Sequence, residues 1–262
     1  MPQGSVLGPV LFCLVIDSLT PVCSNTKILR YADDVVFLHF LRTPSEDNLH
    51  LEWNSLLKWS SDVSLPINFE KCKVMDFVTK KNLVLSPVPV SPGKHVKSVT
   101  SFSFLGVTLS HDFRWNTHFD NILAKAMKRI FILRNLRRSN CPVNLLWKVY
   151  ECLLRSIFMY ALPSFSNAPV YLFNKLLAFE RRVCRIVNIV PNSRPSVTSL
   201  IDSMCKKLFC QVARHINHPL NALFEKKKES KTRCQKLFRP PRCKTKRFSN
   251  FLSSSFDLSP PR

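Results

Sequence analysis

Two aspartates stand side by side in RYADDVVFL, Asp33 and Asp34, between runs of apolar residues. Adjacent carboxylates on a tight turn can hold a divalent cation close to a reacting phosphate. Hard oxygen ligands suit Mg2+, which keeps several waters and takes one or two carboxylates together with substrate phosphate. In phosphoryl transfer, two such ions can stabilise both the attacking and the leaving oxygen. Asp-Asp is also ordinary turn chemistry, so the pair alone does not define a site. A second informative stretch opens the chain. MPQGSVLGPVLF holds Gly4 and Gly8, two of only 4 glycines in 262 residues. Glycine tolerates close backbone approach and unusual dihedrals. Gly106 lies in a third stretch, FLGVTLS, and Gly93 falls in a loop.

The elements that must position these residues follow from apolar period and punctuation. From Ser5 to Leu19 the apolar residues are almost continuous, which predicts a buried helix with Ser5 near its cap and Pro9 in its first turns. KILRYADDVVFLHFL predicts a β-hairpin with the carboxylates at its tip. Thr43-Pro44-Ser45-Glu46 is a capping-box pattern with Pro at the first helical position. It should open a helix whose Leu49, Trp53, Leu56 and Ser60 share one face. Strands are expected from Lys73 to Thr79 and from Phe102 to Leu109. Beyond these the pattern turns helical. Thr117 can cap a helix that buries Phe119, Ile122, Leu123, Ala126, Ile130 and Leu133, with Lys125 and Lys128 facing away. Pro142 starts another, burying Leu146, Tyr150, Leu153 and Ile157. A third is expected from Tyr171 to Val187, carrying Arg181, Arg182 and Arg185, and a fourth from Val197 to Val212.

Apolar residues make up 45% of the chain, enough for a core and too many for wholesale disorder. The longest apolar run, Val6 to Ile16, is too short to span a membrane, which needs roughly 20 residues. The 10 cysteines form no CxxC pair, and no disulfides are expected. Cys205, Cys210, His215 and His218 cluster in sequence at spacings that fit no familiar zinc finger. Charge is distributed unevenly. Residues 1–110 hold 10 Lys and Arg against 9 Asp and Glu, a net of +1; residues 111–262 hold 29 against 8, a net of +21. An excess this lopsided points to a polyanionic partner, with nucleic acid first. Residues 223–262 form a basic, Pro- and Ser-rich tail beginning EKKKESKTR, expected to be flexible alone and suited to phosphate contacts.

PQGSVLGP, YADD, LPINFEKCK and FLGVTLS occur in that order, and together they resemble the palm of a reverse transcriptase of the non-LTR retrotransposon type. WNTHFDNILAKAMKRIFILRNL resembles the first thumb helix of these elements. YECLLRSIFMYALPSFSNAP, followed by LLAFERRVCRIV, resembles the region beyond it. The resemblance implies an α+β fold in three parts. Residues 1–110 would be a partial palm, a β-hairpin sheet packed on helices; 111–222 a helical thumb and post-thumb region; 223–262 the tail. It also implies an RNA-directed DNA polymerase that extends a 3′-hydroxyl primer on an RNA template by two-metal nucleotidyl transfer. The implied partners are RNA template, DNA primer and dNTP, with Mg2+ as cofactor. Gln3, Gly4 and Ser5 would border nucleotide and template. Asp33 and Asp34 would bind metal and act in catalysis, and Tyr31 would support their turn. Lys71, on the strand after the hairpin, would protonate pyrophosphate. Phe104, Leu105, Gly106 and Val107 would approach the primer end. Lys125, Lys128, Arg181, Arg182 and Arg185 would meet the nucleic-acid backbone. A nuclear location is implied as well, with Lys226-Lys227-Lys228 in keeping.

In the family a third catalytic aspartate comes from a palm strand before the PQGS stretch, and here that stretch follows Met1 directly. Asp17 is the tempting substitute, but its place matches the end of the helix after PQGS; Asp62 and Asp76 have no better claim. The site is therefore expected to be incomplete and the chain inactive alone. The alternative is a non-catalytic nucleic-acid-binding remnant of such an element.

Overall fold

The computed structural model describes residues 4–43, 46–77, 89–91, 94–190, 195–215 and 217–221; Gln3, Pro44, Ser45, Gly93 and the tail from residue 222 lie outside them. The architecture is mixed, with long helices and small two-stranded sheets. It divides into two units, Met1–Phe102 with His111–Phe113, and Ser103–Ser110 with Arg114–Arg262.

In the first unit the expected helix after PQGS forms as α1, Gly8–Asp17, with Pro9 in its first turn and the Gly8 N–H donating to Ser5 Oγ at 3.2 Å. Its expected burial is not observed. Gly8 and Ile16 are buried, but Val10, Leu11 and Leu14 are all more than half exposed. A continuous apolar run identifies the helix; it does not supply the surface that covers it. The hairpin forms as expected, from β1 (Thr26–Tyr31) and β2 (Asp34–His39) in antiparallel register from Thr26↔His39 to Tyr31↔Asp34. Helix α2 runs Leu49–Asp62 with Leu49, Trp53, Leu56 and Ser60 all half-buried, so the predicted face holds. Its start differs: the helix opens after Asn48, and Glu46 Oε2 instead accepts the Arg42 N–H at 3.0 Å. The capping box loses to a local loop closure.

Of the strand expected over Lys73–Thr79, Met75, Asp76 and Phe77 are not strand, Val78 and Thr79 lie outside the described residues, and only Lys73–Val74 forms (β3). It pairs in parallel with Lys97–Ser98 (β6), and Pro89–Ser91 (β4) pairs with Lys94–His95 (β5). Among the described residues the buried apolar side chains of this unit are Ile16, Leu19 and Val96.

The second unit carries the large core. The single strand expected over Phe102–Leu109 is a hairpin instead, β7 (Ser101–Phe104) and β8 (Val107–Ser110). Leu105 at φ 47° and Gly106 at φ 80° reverse the chain, and two left-handed residues cannot continue a strand. Helix α3, Asn116–Arg138, buries Phe119, Ile122, Ala126, Ile130 and Leu133, as its period predicts, and exposes Lys125 and Lys128. It starts one residue before Thr117, whose hydroxyl lies 3.5 Å from Ser110 Oγ. Pro142 caps α4, Val143–Tyr150. Beyond it the predicted face fails: Leu153 is 39% exposed, and Leu154 and Phe158 are fully buried instead. The cause is a π-helical turn over Glu151–Arg155, whose wider i→i+5 spacing inserts one residue and moves the inward face by one position. The chain continues through α5 (Ser156–Met159), a 3₁₀ turn (Leu162–Phe165), α6 (Val170–Val187) and α7 (Val197–Arg214).

Among the described residues no helix is long and apolar enough to cross a membrane. The described cysteines are free thiols, with Cys184 and Cys205 buried.

Candidate active site

The two aspartates sit where the hairpin turns. Tyr31 and Asp34 face each other as the last strand pair, leaving Ala32 and Asp33 as a two-residue connection. Ala32 takes φ 50°, the left-handed conformation that two-residue hairpin loops need, although Gly or Asn would adopt it at lower cost. Both carboxylates and Tyr31 are exposed. At the other end the hairpin is fastened by Thr26 Oγ1 against His39 Nδ1 at 2.7 Å, and by the Phe40 N–H donating to Asn25 O at 2.9 Å.

Arg30, one position before the tip pair, reaches back to the C-terminal end of α1. Its guanidinium lies 3.3 Å from Asp17 and donates to the Leu19 carbonyl. Asp17 is therefore the last residue of α1 and an ion-pair partner, the helix-end place that its sequence position implied. Asp62 ends α2. The Asp76 carboxyl is pushed up by burial and then by the negative charge of Asp47. A buried Glu52 fixes the loop between α1 and β1: its carboxylate accepts the Val22 and Cys23 N–H groups at 3.1 and 2.7 Å. Burial works against that carboxylate, and the backbone donors outweigh it, so its pKa lies below the ordinary value.

Gly4 has φ 93° and open space around it, so backbone conformation, and not crowding, favours glycine there. Gly4 and Ser5 stand at the opposite end of α1 from Asp17, and a ten-residue helix is about 15 Å long. Lys71 is exposed in a turn, not on a strand. Its N–H donates to Asn68 O at 3.1 Å, Asn68 Oδ1 is also in reach, and β3 begins only at Lys73.

The Phe104–Val107 stretch forms the tip of the β7–β8 hairpin. There the Tyr160 hydroxyl donates to the Leu105 carbonyl at 2.7 Å. A methyl group on Gly106 would come within 3.2 Å of the Tyr160 ring, so glycine meets both the positive φ and the close approach. Strand β8 of the same hairpin is held by His118, buried at 2% exposure, whose Nδ1 accepts the Thr108 N–H at 3.2 Å. Burial and then the Lys125 charge hold this imidazole below its ordinary pKa, which keeps Nδ1 free to accept. Lys125, Lys128, Arg181 and Arg185 are exposed on α3 and α6, and Arg182 is half-buried.

Behind these helices lies a buried polar network that periodicity did not reveal. Glu180 accepts the Tyr150 hydroxyl at 2.8 Å and the Val197 N–H, at the start of α7, at 3.1 Å. Arg155 stands 3.8 Å from the same carboxylate and donates to the Pro195 carbonyl. Burial and then the Glu180 charge drive the Tyr150 phenol far up, so it stays a donor. The signal for these residues was their place in the two quoted stretches after α3, with no hint of which partner each would take.

The chemistry of the hairpin tip fits a hard divalent cation through two adjacent carboxylates. Among the described residues no group of three or more His, Cys, Asp or Glu side chains is arranged to hold a metal ion, at the tip or around Cys205.

Residues 1–109 match the family of reverse transcriptases (RNA-dependent DNA polymerases). The chain is 24% identical over 206 residues to the RNA-directed DNA polymerase from mobile element jockey of Drosophila melanogaster, covering 73% of this chain and 22% of that protein. It is 25% identical over 231 residues to the probable RNA-directed DNA polymerase from transposon BS of the same fly, 82% of this chain and 25% of the other. A Pol polyprotein from type-1 retrotransposable element R1 2 of Nasonia vitripennis is 25% identical over 145 residues, 52% of this chain and 35% of its own length. The chain thus spans about a quarter of the first two relatives. No solved structure matches it. The order of motifs and these likenesses agree: residues 1–109 match the reverse-transcriptase family, and the chain is similar along most of its length to RNA-directed DNA polymerases of mobile elements.

Proposed function

We propose that the chain supplies part of the nucleotidyl-transfer site and part of the nucleic-acid track of an RNA-directed DNA polymerase. The observation that carries this is the exposed Asp33–Asp34 pair on a two-residue turn, inside the stretch that matches the reverse-transcriptase family. Asp33 and Asp34 would hold Mg2+, which supplies charge stabilisation for the oxygens of a transferring phosphate when bound. The remaining roles belong to this chain's own groups. The β1–β2 register holds the two carboxylates at the tip, and Tyr31 borders them. Gly4 and Ser5 would border nucleotide and template, and Lys71 would offer a proton to the leaving pyrophosphate. The Leu105–Gly106 turn, held by Tyr160, would approach the primer end. Residues up to the β7–β8 hairpin would then be palm, and the helices after it thumb and post-thumb, with Lys125, Lys128, Arg181, Arg182 and Arg185 on the backbone track.

Two carboxylates are one short of the family's three, so the proposal assigns the third to a part of the polymerase beyond the residues described. Primer extension on an RNA template with Mg2+ tests this. The chain alone should give no more product than its Asp33→Asn variant. Product from the chain that disappears in the variant would contradict the divided site.

A further inference from the structure

The helical unit carries an exposed aromatic set in a field of cations. Helices α3 and α6 run parallel in a constant register, shown by three contacts each 55 residues apart: Tyr171 Oη donates to Asn116 Oδ1, Lys175 Nζ lies 2.8 Å from Asp120, and Arg182 Nη1 lies 3.7 Å from Met127 Sδ. One helical turn beyond Met127 on the same stripe stands Phe131, 57% exposed; Met127 itself is 41% exposed. Lys128 and Arg134 flank Phe131 three residues before and after, and both are exposed. No Asp or Glu occurs between residues 121 and 150, a stretch that holds seven Lys and Arg. The acids nearest in the two helices are engaged elsewhere, Asp120 with Lys175 and Glu180 with Tyr150.

A single exposed apolar side chain is ordinary on a protein surface. An exposed ring on a helical stretch that carries cations and no carboxylate of its own has a narrower use. Grooves that track single-stranded nucleic acid combine positive charge for the backbone with aromatic faces on which bases stack. A duplex offers its phosphates but no free base face. We propose that the α3–α6 seam is a single-strand binding site, with one unpaired base stacked on Phe131 and the adjoining phosphates on Lys128, Arg134 and Arg182. This rests on the nucleic-acid reading above and narrows it from any polyanion to an unpaired strand.

The test is fluorescence anisotropy of the full chain with a labelled single-stranded oligonucleotide and with a hairpin duplex of equal charge, over a salt series. Phe131→Ala should weaken single-strand binding about tenfold, the loss of one stacked base, and change duplex binding less than twofold. Phe131→Tyr should restore the affinity. The slope of log affinity against log salt should be the same in Phe131→Ala and shallower by about 1 in Lys128→Ala, because stacking releases no counterions and a phosphate contact does. Equal losses on single strand and duplex, or no loss on either, would overturn the stacking site while leaving the nucleic-acid reading intact. No binding by the parent chain at low salt would overturn that reading and the site with it. Concentration-dependent self-association that Phe131→Ala abolishes, with oligonucleotide affinity unchanged, would assign the ring to a contact between copies and also overturn the proposal.

Discussion

At the scale of single residues, the site stretches are fixed by a few side chains that meet two demands at once. Gly106 accepts a positive φ and leaves room for a ring, and Tyr160 supplies both that ring and a hydrogen bond to the strained Leu105. The two parts can be separated by substitution. Tyr160→Phe keeps the ring and loses the bond, so it should cost about 1 kcal/mol in urea denaturation. Gly106→Ala should cost more, roughly 2 kcal/mol, because backbone strain adds to the 3.2 Å approach. If the two substitutions are equally mild, Tyr160 does not brace the turn. The sequence shows Gly106 as one of few glycines in a motif, and so its importance was legible. Its partner, 54 residues on, was not: no local pattern says which exposed tyrosine will turn back onto a hairpin. Glu52 and Glu180 were hidden for the same reason, since an acidic residue in an amphipathic helix reads as a solvated face until its buried partners are known.

At the scale of elements, apolar period located the helices well and their inward faces less well. It placed the core stripe of α3 and the span of α6, where 3.6-residue geometry runs uninterrupted. It misplaced the stripe after Tyr150 because a π turn shifts the register by one residue. That turn also brings Arg155 to 5% exposure beside Glu180, so the same irregularity that spoils the pattern builds the network joining α6 to the start of α7. Removing one member of a buried charged pair leaves the other unpaired. Glu180→Ala should therefore lower unfolding free energy by roughly 3 kcal/mol or more. Asp120→Ala, which breaks the exposed pair with Lys175, should cost less than about 1 kcal/mol. Comparable losses in the two variants would show that the network is not a structural tie. The β7–β8 hairpin was missed for a different reason: Leu-Gly inside a run of strand-forming residues reads as a strand with a glycine until both residues are seen at positive φ.

At the scale of the whole molecule, charge and motif order carried the functional reading, and both are properties of the chain that need no coordinates. A net of +1 over residues 1–110 against +21 over the remainder separates the part that carries the proposed cation site from a part suited to phosphates. The Asp33–Asp34 pair lies in the near-neutral part, away from the excess of cations that would attract a polyanion. What the sequence could not supply was the packing of the first unit, where α1 shows an apolar face and few side chains are buried among the described residues. The central claim is that Asp33 and Asp34 together make a divalent-cation site at the hairpin tip. Iron-mediated backbone cleavage tests it most directly: Fe2+ replaces Mg2+, and peroxide and ascorbate then cut the chain close to the bound ion. The account predicts cuts on both sides of the Tyr31–Asp34 turn, suppressed by excess Mg2+ and absent from Asp33→Asn/Asp34→Asn. Cuts elsewhere in the chain, or cuts at the turn that survive the double substitution, would contradict it.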